Sequence, residues 1–166
     1  MSLAQFFGYS QQLYKYPIRP RQGEKIRFWE NDLSHVDRDL HAKDIITPDP
    51  RRKVLPVWAP QSGVVIELVQ SHTQWGGARV FAGLKNFVRV QVSDREFYLI
   101  AHIGVNSCPF SVGSWVEVGQ QLAVTGANGW MTDPRHLHFV VGLFTYNNYR
   151  SLRIRWDRNQ EYASAK

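Results

Sequence analysis

Two histidines separated by one residue stand inside an apolar stretch late in the chain. They are His136 and His138 of the segment His136-Leu137-His138-Phe139, and the apolar run continues to residue 144. In a β-strand, residues two apart point to the same face, so we expect the two imidazole rings to stand side by side. Imidazole is a common metal ligand, so the pair indicates a metal site; a pair on the solvated face of a sheet is the alternative interpretation.

Three further residues have side chains that suit the same chemistry. His102 lies in the otherwise apolar segment 98–103, where a lone histidine is more often a hydrogen-bonded core residue. His35 stands nine residues before Asp44. A catalytic zinc site uses three protein ligands, commonly histidines and a carboxylate, and keeps its fourth position for water. The sequence therefore contains the groups that such a site needs.

Length and charge set the outer bounds. The chain has 166 residues, 43% of them hydrophobic, which is enough for one domain with its own core. No stretch has the apolar length of a transmembrane segment, and residues 1–20 lack the pattern of a secretory signal peptide. The formal net charge of +6 suits an anionic partner such as bacterial cell wall. The basic residues are scattered and form no nucleic-acid-binding motif, so we expect no nucleic-acid partner.

Short β patterns separated by glycine-rich corners fill most of the chain. Residues 57–69 read as two strands about a turn, and 87–92 and 97–103 read as a hairpin joined by a turn at 93–96. No window shows a helical period over ten residues. We predict a mostly β fold, with an antiparallel sheet of sandwich or barrel type and glycine-rich corners. We divide the chain into an N-terminal arm (1–30), the functional domain (31–158) and a C-terminal tail (159–166).

These pieces, in this order, resemble the lysostaphin-type, or LytM-like, zinc endopeptidases, which cut peptides in bacterial peptidoglycan. The resemblance extends over residues 33–156. It rests on five ordered segments: Asp44-Ile45 with Pro48, residues 57–65, Ala101-His102-Ile103, the glycine turns of 112–129, and Pro134-Arg135-His136-Leu137-His138-Phe139. It implies a LytM-like β fold of the duplicated hybrid motif type, one zinc ion per chain, a peptidoglycan peptide as substrate and an extracytoplasmic location.

The resemblance also implies a role for each candidate residue. Its ligand set is His35, Asp44 and His138, and the bound zinc would activate a water molecule for attack on the amide carbonyl. His136 would be the general acid and base, and His102 would hydrogen-bond the water or the developing oxyanion.

One departure from the family pattern concerns the first ligand. The commonest spacing places a histidine four residues before the aspartate, where this chain has Leu40. Another branch has Ser-His nine residues before the aspartate, and Ser34-His35 reproduces that spacing, so we choose His35. His41 is the alternative ligand. Trp130, just before the His-x-His strand, is the candidate for substrate contact.

Two other functions fit parts of the sequence. The first is a LytM-like domain that does not cut but binds cell wall or regulates another wall hydrolase, which the unusual histidine-to-aspartate spacing would suit. The second is a phosphocarrier of the sugar phosphotransferase type, which segment 100–105 resembles faintly. A phosphocarrier needs two facing histidines and no metal, so it has no use for Asp44.

Overall fold

The computed structural model describes residues 3, 7–20, 25–29, 35–46, 54–132 and 136–160. Its strands are β1 (Tyr9–Tyr14), β2 (Arg27–Trp29), β3 (Lys43–Ile46), β4 (Pro56–Trp58), β5 (Gly63–Val69), β6 (Trp75–Gly76), β7 (Phe87–Gln91), β8 (Glu96–Ala101), β9 (Trp115–Val116), β10 (Gln121–Val124), β11 (Gly129–Trp130), β12 (His136–Phe144), β13 (Tyr149–Ser151) and β14 (Arg153–Trp156). Two short 3-10 helices span Asp37–Asp39 and Arg79–Leu84. Among these residues no helix has the length and apolar character to cross a membrane.

An eight-stranded antiparallel sheet forms the centre of the fold. Seven of its strands follow the order β2-β3-β12-β8-β7-β5-β9, and β13 pairs with the far end of β12. Strands β4 and β10 form a separate antiparallel pair. The predicted mostly β, antiparallel fold is confirmed. Two short ladders, β1 with β14 and β6 with β11, are parallel, which the sequence analysis did not anticipate.

The two central strands are covered on both faces. All six residues of β8 are buried, as are the first eight residues of β12. A strand with apolar neighbours on both faces does not need alternating polarity, so it reads as a continuous apolar run. This explains why the sequence shows unbroken hydrophobic segments here, in contrast to the partly alternating β7.

Alternate residues of β12 face different parts of the core. Phe139 and Val141 belong to the larger hydrophobic cluster, and Val140 belongs to a smaller one on the opposite face. Because the side-chain period of a strand is two, His136 and His138 share the face of Val140. The strand therefore carries its two histidines away from the main core.

The described part of the predicted N-terminal arm packs into the folded core. Tyr14 of β1 is fully buried, and β1 pairs with β14 near the other end of the chain. The buried Glu96 carboxylate accepts hydrogen bonds from the backbone N–H groups of Gln11 (2.7 Å) and Gln12 (3.1 Å) and from the Tyr14 hydroxyl (2.8 Å). Burial, and then the adjacent Glu96 carboxylate, raise the pKa of Tyr14, so its hydroxyl stays protonated and donates. The boundary at residue 30 stays a prediction.

We expect Glu96→Gln to lower the free energy of unfolding by about 1.5–3 kcal/mol, because an amide offers one acceptor oxygen where the carboxylate offers two. Urea denaturation measures the change. The control is Glu67→Gln, which removes a partly exposed ion pair with Arg89 (2.8 Å) and should cost less than about 1 kcal/mol. Equal losses in the two variants would show that Glu96 does not anchor β1.

Candidate metal centre and its cleft

The register of the sheet places two of the candidate ligands side by side. Asp44 of β3 is paired with His138 of β12, and His138 is paired on its other side with Ala101 of β8. Side chains of directly paired residues extend from the same face of a sheet. Asp44 and His138 therefore meet on the face that also carries His136.

The side chain of His35 completes a triangle of three donor atoms. His35 Nε2 lies 3.2 Å from Asp44 Oδ1 and 3.3 Å from His138 Nδ1, and His138 Nδ1 lies 3.0 Å from Asp44 Oδ1. All three side chains are buried, and they form a group that could hold a metal ion. Ligand atoms about 2.0–2.1 Å from a tetrahedral zinc ion are about 3.3 Å apart, so the triangle has the size that zinc requires.

The chemistry of these donors also suits a cation. Burial by itself raises the pKa of Asp44, but the hydrogen bonds from the rings of His138 and His35 outweigh it, and the net effect holds this pKa well below its usual range. The carboxylate is therefore ionised at neutral pH. In the tautomers that leave His35 Nε2 and His138 Nδ1 unprotonated, these two nitrogens and the carboxylate oxygen would present lone pairs to a common point, as metal ligands must.

His136 and His102 lie next to this triangle. Their ring centroids are 4.8 Å apart in an edge-on arrangement, and His102 is 6.5 Å from His138 by the same measure. The Nδ1 of His102 lies 2.7 Å from the backbone carbonyl oxygen of Asn128. A carbonyl only accepts, so Nδ1 carries the proton and Nε2 of the neutral ring is an acceptor. Burial first, and then the charges of His136 and His138, lower the pKa of His102 to about 3, which keeps it neutral.

Two buried asparagines hold His102, and the sequence analysis missed both. The backbone N–H of His102 donates to the Asn86 carbonyl (2.8 Å), and the Asn86 N–H donates to Asn128 Oδ1 (2.6 Å). The Asn128 amide nitrogen donates to the Ile103 carbonyl (2.7 Å). β8 ends at Ala101, and His102 has a φ of +65°, an uncommon value for a residue with a side chain. Because the backbone turns here, the His102 side chain does not follow the alternation of side chains along β8. The glycine-flanked segment Gly126-Ala127-Asn128-Gly129 was the sequence feature that could have identified Asn128 as part of the site.

A cleft of about 660 Å³ opens at this site. The candidate catalytic and metal-binding residues that line it are Asp44, His102, His136 and His138. The aromatic and apolar lining residues include Trp29, Val36, Trp130 and Met131. Three further lining residues carry charged side chains: Asp39, Arg79 and Lys85. Trp130, the predicted substrate contact, thus lies at the cleft, and its indole N–H donates to the Gly77 carbonyl (2.9 Å). Trp29, Arg79 and Lys85 were not identified from the sequence.

The alternative ligand, His41, lies apart from the triangle. Its backbone N–H donates to Ser151 Oγ (2.9 Å), and its ring is partly exposed. Partial burial, followed by the positive charges of Arg153 and Lys43, lowers its pKa. The group of side chains that could share one ion with Asp44 contains His35 and not His41.

The fold is similar to that of several solved peptidase structures. The chain is 19% identical to a zinc-containing peptidase from Vibrio cholerae, with a TM-score of 0.55 over 86% of this chain and 40% of the other. It is 19% identical to a LytM protein from Ruminococcus gnavus, with a TM-score of 0.58 over 84% of this chain and 57% of the other. It is 18% identical to the antimicrobial peptidase lysostaphin from Staphylococcus simulans, with a TM-score of 0.51 over 82% of this chain and 51% of the other. The chain thus spans about half the length of these proteins, and such identities establish a common fold.

A comparison with curated protein sequences gives no match. Residues 45–150, more than half of the chain, match the sequence profile described as Peptidase family M23. The matched region contains His102, His136 and His138 and begins directly after Asp44. The predicted resemblance to lysostaphin-type and LytM-like peptidases is thereby confirmed. The chain belongs to Peptidase family M23.

Proposed function

We propose that the protein is a zinc-dependent endopeptidase that hydrolyses cross-bridges or stem peptides of bacterial peptidoglycan. The observation that carries this proposal is the convergence of His35 Nε2, Asp44 Oδ1 and His138 Nδ1 at 3.0–3.3 Å beside two further histidines in an open cleft. Family membership and the similarity to LytM and lysostaphin structures support the substrate class. A peptidoglycan substrate would imply an extracytoplasmic location for this activity.

In this proposal, His35, Asp44 and His138 hold one zinc ion. When bound there, zinc supplies Lewis acidity, which activates water near neutral pH and polarises a scissile carbonyl. Asp44 contributes a carboxylate that is already ionised, so metal binding needs no proton release from it. Its backbone is fixed by strand pairing on both sides, with Trp29 of β2 and His138 of β12.

His136 is the group that we assign to proton transfer. It lines the cleft, and it lies two residues before His138 on the same face of β12. A histidine in this position can take a proton from the attacking water and return it to the leaving amine, which typically contributes about a hundred- to ten-thousandfold in rate.

His102 is assigned to orienting the water. Since its Nδ1–H donates to the Asn128 carbonyl and its pKa is lowered to about 3, its Nε2 accepts a hydrogen bond and does not donate one. Of the two roles considered from the sequence, accepting from the attacking water fits this protonation state. Donating to a developing oxyanion would need a proton on Nε2.

Removing single ligands tests the metal site. We expect His35→Ala to lose zinc, because the remaining two donors do not complete a tetrahedral catalytic site, while His41→Ala should keep about one zinc per chain. Elemental analysis of the purified, dialysed proteins measures this, with the thermal midpoint in added zinc as a second readout. Loss of zinc from His41→Ala together with its retention by His35→Ala would make His41 the ligand.

The two members of the His-x-His pair should separate metal binding from catalysis. We expect His136→Ala to retain zinc but to lose at least about a hundredfold in turnover, or about 3 kcal/mol of barrier stabilisation, and His138→Ala to lose the metal itself. Zinc content and release of peptide from purified cell wall are measured side by side. Near wild-type hydrolysis by His136→Ala would refute its assigned role. A wild-type protein that binds zinc but cuts no wall type would favour the non-cutting regulatory function.

Acidification and chelation should remove the activity through the metal. A histidine ligand must be neutral to bind zinc, and histidine ordinarily takes up a proton near pH 6.5, so zinc occupancy and hydrolysis should both fall below about pH 6. Asp44 does not contribute to this loss, because a lowered pKa keeps it ionised until far lower pH. Zinc occupancy across pH 5–8 and hydrolysis before and after chelation are the measurements. Activity that persists with zinc verified absent would exclude a metallopeptidase.

A further inference from the structure

The cleft contains two cationic side chains to which the proposed hydrolysis gives no role. Lys85 and Arg79 line it together with His102 and His136. Over the residues that the structure describes, neither cationic side chain makes an ion pair or hydrogen bond with the protein. Lys85 is largely enclosed, and burial lowers its pKa. A partly desolvated ammonium group without a direct ion-pair partner is costly, and an anionic ligand at this position would stabilise it.

Among the described residues that line the cleft, both acidic side chains have other hydrogen-bond partners. Asp44 belongs to the metal centre, and Asp39 accepts a hydrogen bond from the Tyr149 hydroxyl at 2.5 Å. Asp39 is the acid whose field favours the charged form of Lys85, but the nearby Arg38 and Arg89 act in the opposite sense. These charges act on the pKa of Lys85 in opposite senses, and none of the described acidic side chains neutralises Lys85 through a direct ion pair.

The backbone at Lys85 is held firmly in place. A Cβ atom added to Gly129, whose φ is +83°, would lie only 2.7 Å from Lys85 Cβ and 2.9 Å from Lys85 Cα, so the two segments approach as closely as a glycine permits. The next residue, Asn86, accepts the backbone N–H of His102 at 2.8 Å. The backbone of Lys85 thus lies against β11, the strand that carries Trp130. Its neighbour in the chain, Asn86, is hydrogen-bonded to His102 of the site. The backbone that carries the Lys85 side chain is thus fixed at the cleft, as a recognition group requires.

We propose that Lys85, assisted by Arg79 at the exposed rim, binds a carboxylate of the peptide substrate close to the scissile bond. The protein would then prefer acidic stem-type peptides to glycine bridges, which carry no ionised side chain. This inference rests on the proposed peptidase function. It adds a specificity-determining residue and a substrate class to that function. The positive net charge of the whole chain would assist the approach of such a substrate but would not select the position of its carboxylate.

Matched peptides test the assignment. Wall-type stem peptides are prepared with a free carboxylate or with the same group as a carboxamide, and kcat/KM is measured for the zinc-loaded full chain with pentaglycine as a third substrate. We expect wild type to prefer the carboxylate form at least about tenfold, and Lys85→Gln to reduce that ratio to near one. Lys85→Arg should keep most of the preference. Arg79→Gln should lower it less, because Arg79 is exposed and screened by solvent.

The control is Arg95→Gln. It removes one exposed positive charge at the β7–β8 turn, at the opposite end of β8 from His102. It should leave the carboxylate-to-carboxamide ratio unchanged, which separates local recognition from long-range attraction. Circular dichroism confirms that each variant is folded.

Binding of the same peptides, followed by tryptophan fluorescence or calorimetry, separates failure of this inference from failure of the proposed function. A carboxylate preference in binding that Lys85→Gln abolishes supports the inference even if no peptide is cut, and the peptidase proposal alone would then fail. Equal hydrolysis of both peptide forms, or preference for pentaglycine, overturns the inference and leaves the peptidase proposal intact. Binding that does not distinguish the two forms, or no binding at all, also overturns it.

Discussion

The pairing of β3 with β12 is the constraint on which the site depends. It sets Asp44 opposite His138 and brings a carboxylate and an imidazole to 3.0 Å in a buried position. Because strand side chains alternate, a shift by one residue would present Lys43 or Ile45 in place of Asp44. Such a shift is unfavourable because it would move Ile45 of β3 out of the main hydrophobic cluster and turn the Asp44 carboxylate into it. The same burial that stabilises the sheet therefore specifies the metal centre.

Two kinds of polar group are buried at this site, and they are stabilised differently. The ligand triangle consists of three ionisable side chains that contact one another, and a bound cation would compensate the negative charge of its carboxylate. Asn86 and Asn128 are neutral and are satisfied by backbone groups, so they form a rigid support whatever the metal content. His102 is connected to this support by both its backbone and its ring. The water-orienting role proposed for it therefore does not depend on the ligands for its position.

Much of the fold and the ligand cluster could be predicted because their signals are local. Short strand patterns, turn residues and the His-x-His spacing predicted the central sheet, whereas the choice of His35 as the partner of Asp44 came from the resemblance to one branch of the family. Lys85 could not be identified in this way, because its importance comes from a cleft formed by distant segments. The positive φ of His102 could not be predicted, because most histidines, although they adopt it more often than other residues, have a negative φ. The parallel pairing of β1 with β14 joins residues too far apart for any local pattern.

That pairing has a consequence for how the chain folds during synthesis. β1 is made early, yet its strand partner begins at Arg153 and its carboxylate anchor is Glu96. Contacts of such high sequence separation form late, because the intervening chain must first be ordered. On the ribosome, Tyr14 would remain without its core environment until almost the whole domain has emerged. The pairing of β1 with β14 is therefore expected among the last steps in the folding of this domain.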